Sequence, residues 1–262
     1  MILSIVGKRV PAMAVVLYYH SIPKEKRAAF ARQMDKLVRC SRPWPADARV
    51  PPCAGARYAS VTFDDGYQNI VDNAVPELVQ RGIPATIFIV SGNLGATPRW
   101  EDQSASSDPD MNEPILTAEQ LRNLPSDLVR IGSHTVTHPV LSRLSEPQAR
   151  AELSESRSML EKFVGSEVKL LSFPYGSFNI NLLRWCRDEG YERVFTTSPN
   201  VAFSEPDEFV VGRVAASPDD WNVEFYLKLH GTYRWLPRAY AVKRMASSTW
   251  TEAREDRSAM TS

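Results

Sequence analysis

Two short strings hold most of the side chains in this sequence that can do chemistry together: Thr62-Phe63-Asp64-Asp65-Gly66 and Ser133-His134-Thr135-Val136-Thr137-His138. The first ends an apolar run with adjacent carboxylates, and the second carries two imidazoles at i and i+4. Two imidazoles and one carboxylate suit a catalytic divalent ion, because three protein ligands leave positions for water and a substrate oxygen. Such an ion lowers the pKa of water from about 15.7 towards ~7. The spare carboxylate can then take a proton from that water. Neighbouring side chains at a strand end point in different directions, so the two carboxylates can divide these tasks, and spacing alone leaves open which takes which. Each string by itself has a plainer reading: Asp-Gly favours turns, and a His pair at i, i+4 often lies on a helix surface. Their combination, each just after an apolar run, favours metal-assisted hydrolysis of an acyl group. The four histidines, His20, His134, His138 and His230, all fall at or near a strand end or in the last loop.

The elements that must position these residues alternate. Ala14 to Tyr19, Ser60 to Phe63, Ala85 to Val90, Leu128 to Gly132, Val168 to Phe173, Arg193 to Thr196 and Val210 to Val214 read as strands. Helical spacing runs over 26–38, 70–81, 145–164, 182–189 and 223–229, with Gly82 and Gly165 placed as left-handed stops. Thr117 with Gln120 forms a capping box for a further short helix. Residues 41–56 and 95–114 read as loops. Strand-then-helix units imply a parallel sheet with helices outside. Neither GxGxxG nor GxxxxGK[ST] is present, which disfavours a nucleotide-binding doubly wound sheet and favours a barrel. In a parallel barrel the downstream strand ends share one rim, and His20, Asp64-Asp65, His134 and Pro174-Tyr175 would meet there. The expected organisation is one catalytic domain over 1–240 and a disordered tail over 241–262.

These strings, with Phe173-Pro174-Tyr175-Gly176, resemble the polysaccharide deacetylase (NodB-homology, carbohydrate esterase) family over roughly 15–229. The resemblance implies an α/β fold, a distorted (β/α) barrel of about seven parallel strands, and removal of an N-acetyl or O-acetyl group from a sugar. It implies Asp64 as the general base and Asp65, His134 and His138 as ligands to one divalent metal, expected to be Zn, with Co, Ni, Mn or Fe also suited to this donor set. Pro174 and Tyr175 fall in the family's third motif as substrate-binding residues, the backbone N–H at Tyr175 donating to the oxyanion. The sequence departs from the family at Ser172, where many relatives carry an Arg that orients the catalytic Asp; another cation must replace it or the base is tuned differently. A late Leu-x-x-His-like motif usually supplies the general acid. In the string Phe225 to His230 this points to His230, with His20 as runner-up. Trp100 reads as a packing residue more than a sugar platform, and Trp221 is open between the two.

Composition narrows the partners. Lys+Arg and Asp+Glu both number 31, so no global charge argues for nucleic acid. Cys40, Cys53 and Cys186 lack CxxC spacing and read as thiols in a reducing compartment. No stretch approaches the ~18 apolar residues of a membrane helix, and the N-terminal run reads as a strand, not a signal peptide. The expectation is a cytoplasmic protein, free or held at a membrane biosynthetic complex by partners. It would act on an N-acetylated glycan or lipid-linked sugar, in an oligomeric state the sequence does not give. A deformylase-like amide hydrolase acting on a non-carbohydrate substrate and a non-catalytic glycan-binding relative are the rivals.

Overall fold

A computed structural model describes residues 13–49, 53, 55–98, 100, 112–200, 202–205 and 207–235. Its strands are β1 (Met13–Tyr19), β2 (Arg42–Pro43), β3 (Arg57–Phe63), β4 (Ala85–Ile89), β5 (Val129–Ser133), β6 (Leu170–Ser172), β7 (Arg193–Thr196), β8 (Val210–Gly212) and β9 (Val214–Ala215). All of their pairings are parallel, in the order β8-β7-β6-β5-β4-β3-β1-β9, with β2 also paired to β3. The two outermost strands are one stretch of chain interrupted only at Arg213. Residues 210–212 pair with β7, and 214–215 pair with β1. This segment therefore closes the sheet on itself, and the staves of the barrel number seven once it is taken as one, as the family resemblance implied.

The period of two along each strand separates an inner from an outer core. Ala14 and Val16 of β1 and Tyr58 of β3 pack with Phe88, Leu170, Phe195 and Val211 inside the barrel. Val15, Leu17, Ala59, Val61 and Phe63 face outward onto α1 (Arg27–Cys40) and α2 (Val75–Arg81). A second outer layer joins α4 (Glu146–Val164) and α5 (Ile180–Asp188) through Leu153, Leu182 and Trp185. The remaining helices are α3 (Ala118–Arg122) and α6 (Asn222–Leu229).

Local signals act where they were read. Thr117 and Gln120 form a reciprocal capping box at α3, as do Ser145 and Gln148 at α4. Gly82 and Gly165 take left-handed backbones at the ends of α2 and α4, with φ of 62° and 69°. One helix differs from expectation. The segment expected to be a single helix over 70–81 begins as a π-turn over Ile70–Ala74 before becoming α2. The expected tail over 241–262 lies outside the described residues. Among the described residues, no helix is long and apolar enough to cross a membrane.

Candidate active site

The inner register of β3 carries through Tyr58, Ser60 and Thr62 to Asp64, so the first carboxylate of the pair points into the barrel mouth. The chain then reverses on two consecutive left-handed residues, Asp65 (φ 66°) and Gly66 (φ 80°). The left-handed backbone at Gly66 favours glycine, and a Cβ there would sit 2.7 Å from Ile89 Cδ1, so the tip of that side chain would have to move. The reversal swings Asp65 towards the end of β5, the parallel neighbour of β4.

After β5 the two histidines lie on an irregular loop, not a helix. Thr135 (φ 70°) and His138 (φ 62°) are both left-handed, an arrangement that costs on the order of 1–3 kcal/mol per residue and is held by its surroundings. The loop is stitched down by Ser91 N–H to the Thr135 carbonyl (3.0 Å), Gly92 N–H to the Val136 carbonyl (3.0 Å) and Ser156 Oγ to the Thr135 carbonyl (3.0 Å). Glu152 of α4 accepts from the amides of Val136 and Thr137 (2.7 and 3.0 Å) and from the Thr137 hydroxyl (2.7 Å). Position i+4 therefore brings the imidazoles together through a tightly anchored turn.

Asp65 Oδ1 lies 3.4 Å from Nε2 of His134 and 3.4 Å from Nε2 of His138. All three residues are buried, and their ligand atoms lie within 4.8 Å of one another. That oxygen has no hydrogen-bond partner among the described residues, an unusual state for a buried carboxylate. The charges make the same point. Burial acts to raise the Asp65 pKa, yet the two imidazoles hold it well below the usual carboxylate range. Burial acts to lower His134, yet the Asp65 and Asp64 carboxylates raise it. His138 is pushed down to about 4, chiefly by burial. A buried group of two carboxylates against one guanidinium calls for one more positive charge. Without a cation that demand falls on His134. The donor set, its spacing and the orphaned oxygen all fit a divalent ion.

Asp64 is held differently. Arg213, fully buried, makes two 2.7 Å bonds to the two Asp64 oxygens. Its guanidinium also donates to Ser172 Oγ (2.7 Å), Thr62 Oγ1 (3.1 Å) and the Thr196 carbonyl (3.3 Å). Its Cζ lies 4.7 Å from the Tyr18 ring centroid and 5.4 Å from that of Phe88. Burial works to raise the Asp64 pKa, but the Arg213 and His134 charges and the forked hydrogen bonds outweigh it, and the carboxylate is held below its ordinary value. The sequence reading missed Arg213. It had placed this residue inside a strand, Val-Val-Gly-Arg-Val, where a lone cation amid apolar neighbours must find a buried partner. That was the available signal. The cation sought at Ser172 comes from the closing strand instead, and Ser172 serves as one of its acceptors.

The structure brings Tyr175 to the same mouth. Pro174–Gly176 forms a single 3-10 turn after β6, with Tyr175 left-handed (φ 57°) and its ring 4.7 Å from that of His138. His20, exposed at the end of β1, is one of the charges acting on Asp64, Asp65 and His138. His230, the first choice for the acid, has its side-chain contacts with Tyr226 of its own helix. It ends α6 with Nδ1 2.7 Å from the Tyr226 carbonyl and its ring 3.9 Å from that of Tyr226. Trp100 is buried, as a packing residue should be, but it packs on His138 (centroids 4.4 Å, planes at 32°). Trp221 is 81% exposed at the start of α6.

The residues that could do chemistry gather at the carboxyl rim of a closed parallel barrel, and solved structures share that fold. IcaB from Ammonifex degensii superposes with a TM-score of 0.69 at 24% identity, covering 84% of this chain and 100% of that one, a likeness of fold. The family model for polysaccharide deacetylase matches residues 52–194, and the chain belongs to that family. A poly-beta-1,6-N-acetyl-D-glucosamine N-deacetylase of Staphylococcus epidermidis is 26% identical over 168 residues, 61% of this chain and 54% of that protein. A peptidoglycan-N-acetylglucosamine deacetylase of Bacillus cereus is 25% identical over 133 residues, 50% of this chain and 41% of that protein. The chain spans about half the length of the curated relatives it matches.

Proposed function

We propose that this chain is a metal-dependent hydrolase that removes an acetyl group, N-linked or O-linked, from a glycan or lipid-linked sugar. The observation that carries the reading is the convergence of Asp65, His134 and His138 beside an Asp64 kept ionised by Arg213. The names of the relatives point to N-acetylglucosamine polymers as the substrate class.

Asp65, His134 and His138 would hold the ion, Zn in the first instance. A divalent ion there supplies Lewis acidity, lowering the pKa of water and polarising the acyl oxygen. Asp64 takes the proton from the attacking water; its pKa below the ordinary carboxylate value keeps it ready to do so at neutral pH. The Arg213 fork fixes the plane of that carboxylate. The water oxygen bonds to the acyl carbon, and the Tyr175 N–H, presented by its left-handed turn, donates to the oxyanion. Such a donor is worth roughly a hundred- to thousandfold in rate. The C–N bond then breaks, and His20 gives a proton to the leaving nitrogen, releasing acetate and a free amine. His20 takes this role over His230 because its charge reaches the two carboxylates and the rim is open to water there.

Two features favour a non-catalytic relative, the Ser172 departure and the unassigned general acid, and the Arg213 fork on Asp64 removes the first of them. The test is acetate release from N-acetylglucosamine oligomers before and after chelation, with a parallel N-formyl panel. Loss of release on chelation and recovery with one equivalent of divalent ion is expected. Undiminished release by the chelated protein would overturn the reading, and preference for the formyl panel would move it to the rival amide hydrolase.

A further inference from the structure

The two imidazoles of the cluster are held by different means. His134 shares a 2.8 Å hydrogen bond between Nδ1 and the Ser172 carbonyl, which sets the ring plane and turns Nε2 towards Asp65. His138 has nothing equivalent: its buried Nδ1 has no hydrogen-bond partner among the described residues. A metal-ligating histidine usually donates its second ring N–H to an acceptor that fixes its orientation, and removal of that partner typically weakens metal binding 10- to 100-fold. His138 also stands on a strained backbone (φ 62°), so its rotamer needs support from outside the loop.

That support is aromatic. The Trp100 indole packs against the His138 ring in a tilted arrangement, with centroids 4.4 Å apart and planes at 32°. Tyr175 meets the same ring edge-on at 4.7 Å and 64°. Trp100 is only 3% exposed although it comes from the long connection between β4 and α3, so its indole is packed into the site. Offset and edge contacts of this kind fix ring planes, because the quadrupoles disfavour other mutual angles.

We propose that Trp100 is a positioning residue of the metal centre. Its indole takes the place of the missing hydrogen-bond acceptor by clamping His138 against Tyr175, so that Nε2 faces Asp65. The inference rests on the metal-ligand reading of Asp65, His134 and His138.

The experiment is calorimetric titration of the full chain with Zn2+, repeated with Co2+ while following its visible absorption. Trp100→Ala should bind one equivalent about 10- to 100-fold more weakly than wild type. Trp100→Phe, which restores an aromatic face, should recover most of that affinity. Co2+ should quench part of the tryptophan emission in wild type, and this part should vanish in Trp100→Phe while the other five tryptophans remain. If the alanine variant fails to fold, Trp100→Leu replaces it, keeping apolar volume without the ring. Wild-type affinity in the alanine or leucine variant would overturn the positioning role and leave the metal centre intact. Failure of the wild type to bind one equivalent would overturn both.

Discussion

Replacing Arg213 with Met deletes a guanidinium that is fully buried, yet leaves its partner carboxylate in the same dry barrel mouth. The two forked bonds to Asp64 and the donations to Ser172, Thr62 and the Thr196 carbonyl all go at once. Removing one member of a buried ion pair costs about 3–5 kcal/mol, mostly because the other charge is stranded. The sign of the pH dependence follows from the two states of Asp64. In the wild type its folded pKa lies below the unfolded ~3.9, so it adds stability above that pH and loses it as pH falls through the folded value. In the variant, burial acts without the cation and the folded pKa rises above the unfolded one. The carboxylate then destabilises the fold increasingly as pH rises through ~3.9 towards neutrality. Urea melts should therefore show the largest gap between the two proteins near pH 7 and a narrowing gap towards pH 4. In the metal-loaded enzyme, the acid limb of kcat/KM should move up by ~1–3 pH units, the range an adjacent arginine imposes on an aspartate. A double-mutant cycle with Asp64→Asn isolates the pair, since the doubly substituted protein strands no charge and should recover part of the lost stability. An acid limb that stays in place, together with additive stability losses, would refute the assignment of Arg213 as the group that keeps Asp64 ionised.

Further outcomes follow from the same geometry. His20→Ala should lower kcat by about 10²–10⁴, whereas His230→Ala should leave it within about twofold, read by acetate release. Glu152→Ala frees the amides of Val136 and Thr137, so metal affinity measured by calorimetry should fall and urea stability should drop by roughly 1–2 kcal/mol. Gly92→Ala puts a Cβ 2.6 Å from the Val136 carbonyl oxygen, a backbone atom that cannot rotate away. A loss of about 1–3 kcal/mol and a displaced histidine loop are expected, checked by melting temperature and metal stoichiometry. Asp64→Asn should keep one equivalent of ion yet lose turnover, while Asp65→Asn should lose the ion; equal metal content in the two would contradict the division of roles.

The sequence by itself determined the barrel and the composition of its rim. Alternating runs of apolar strand and capped helix leave few ways to bury their faces, and a parallel barrel puts every downstream strand end on one side. Asp64, Asp65 and His134 could be named because each follows such a run directly, His138 from its spacing to His134, and Tyr175 through the family resemblance. Tertiary structure decided what local pattern cannot encode. The π-turn at Ile70–Ala74 is invisible to a 3.6-residue period, and the left-handed backbones at Thr135 and Tyr175 sit on residue types that seldom adopt them. Arg213 reaches Asp64 across a separation of 149 residues, and only barrel closure puts the last strand beside the first. The proposed preference for His20 over His230 draws on the pairing of β1 with β3, and the role proposed for Trp100 on a contact made through space. Periodicity reports which face of an element is buried; which buried groups become neighbours is set by how those faces close on one another.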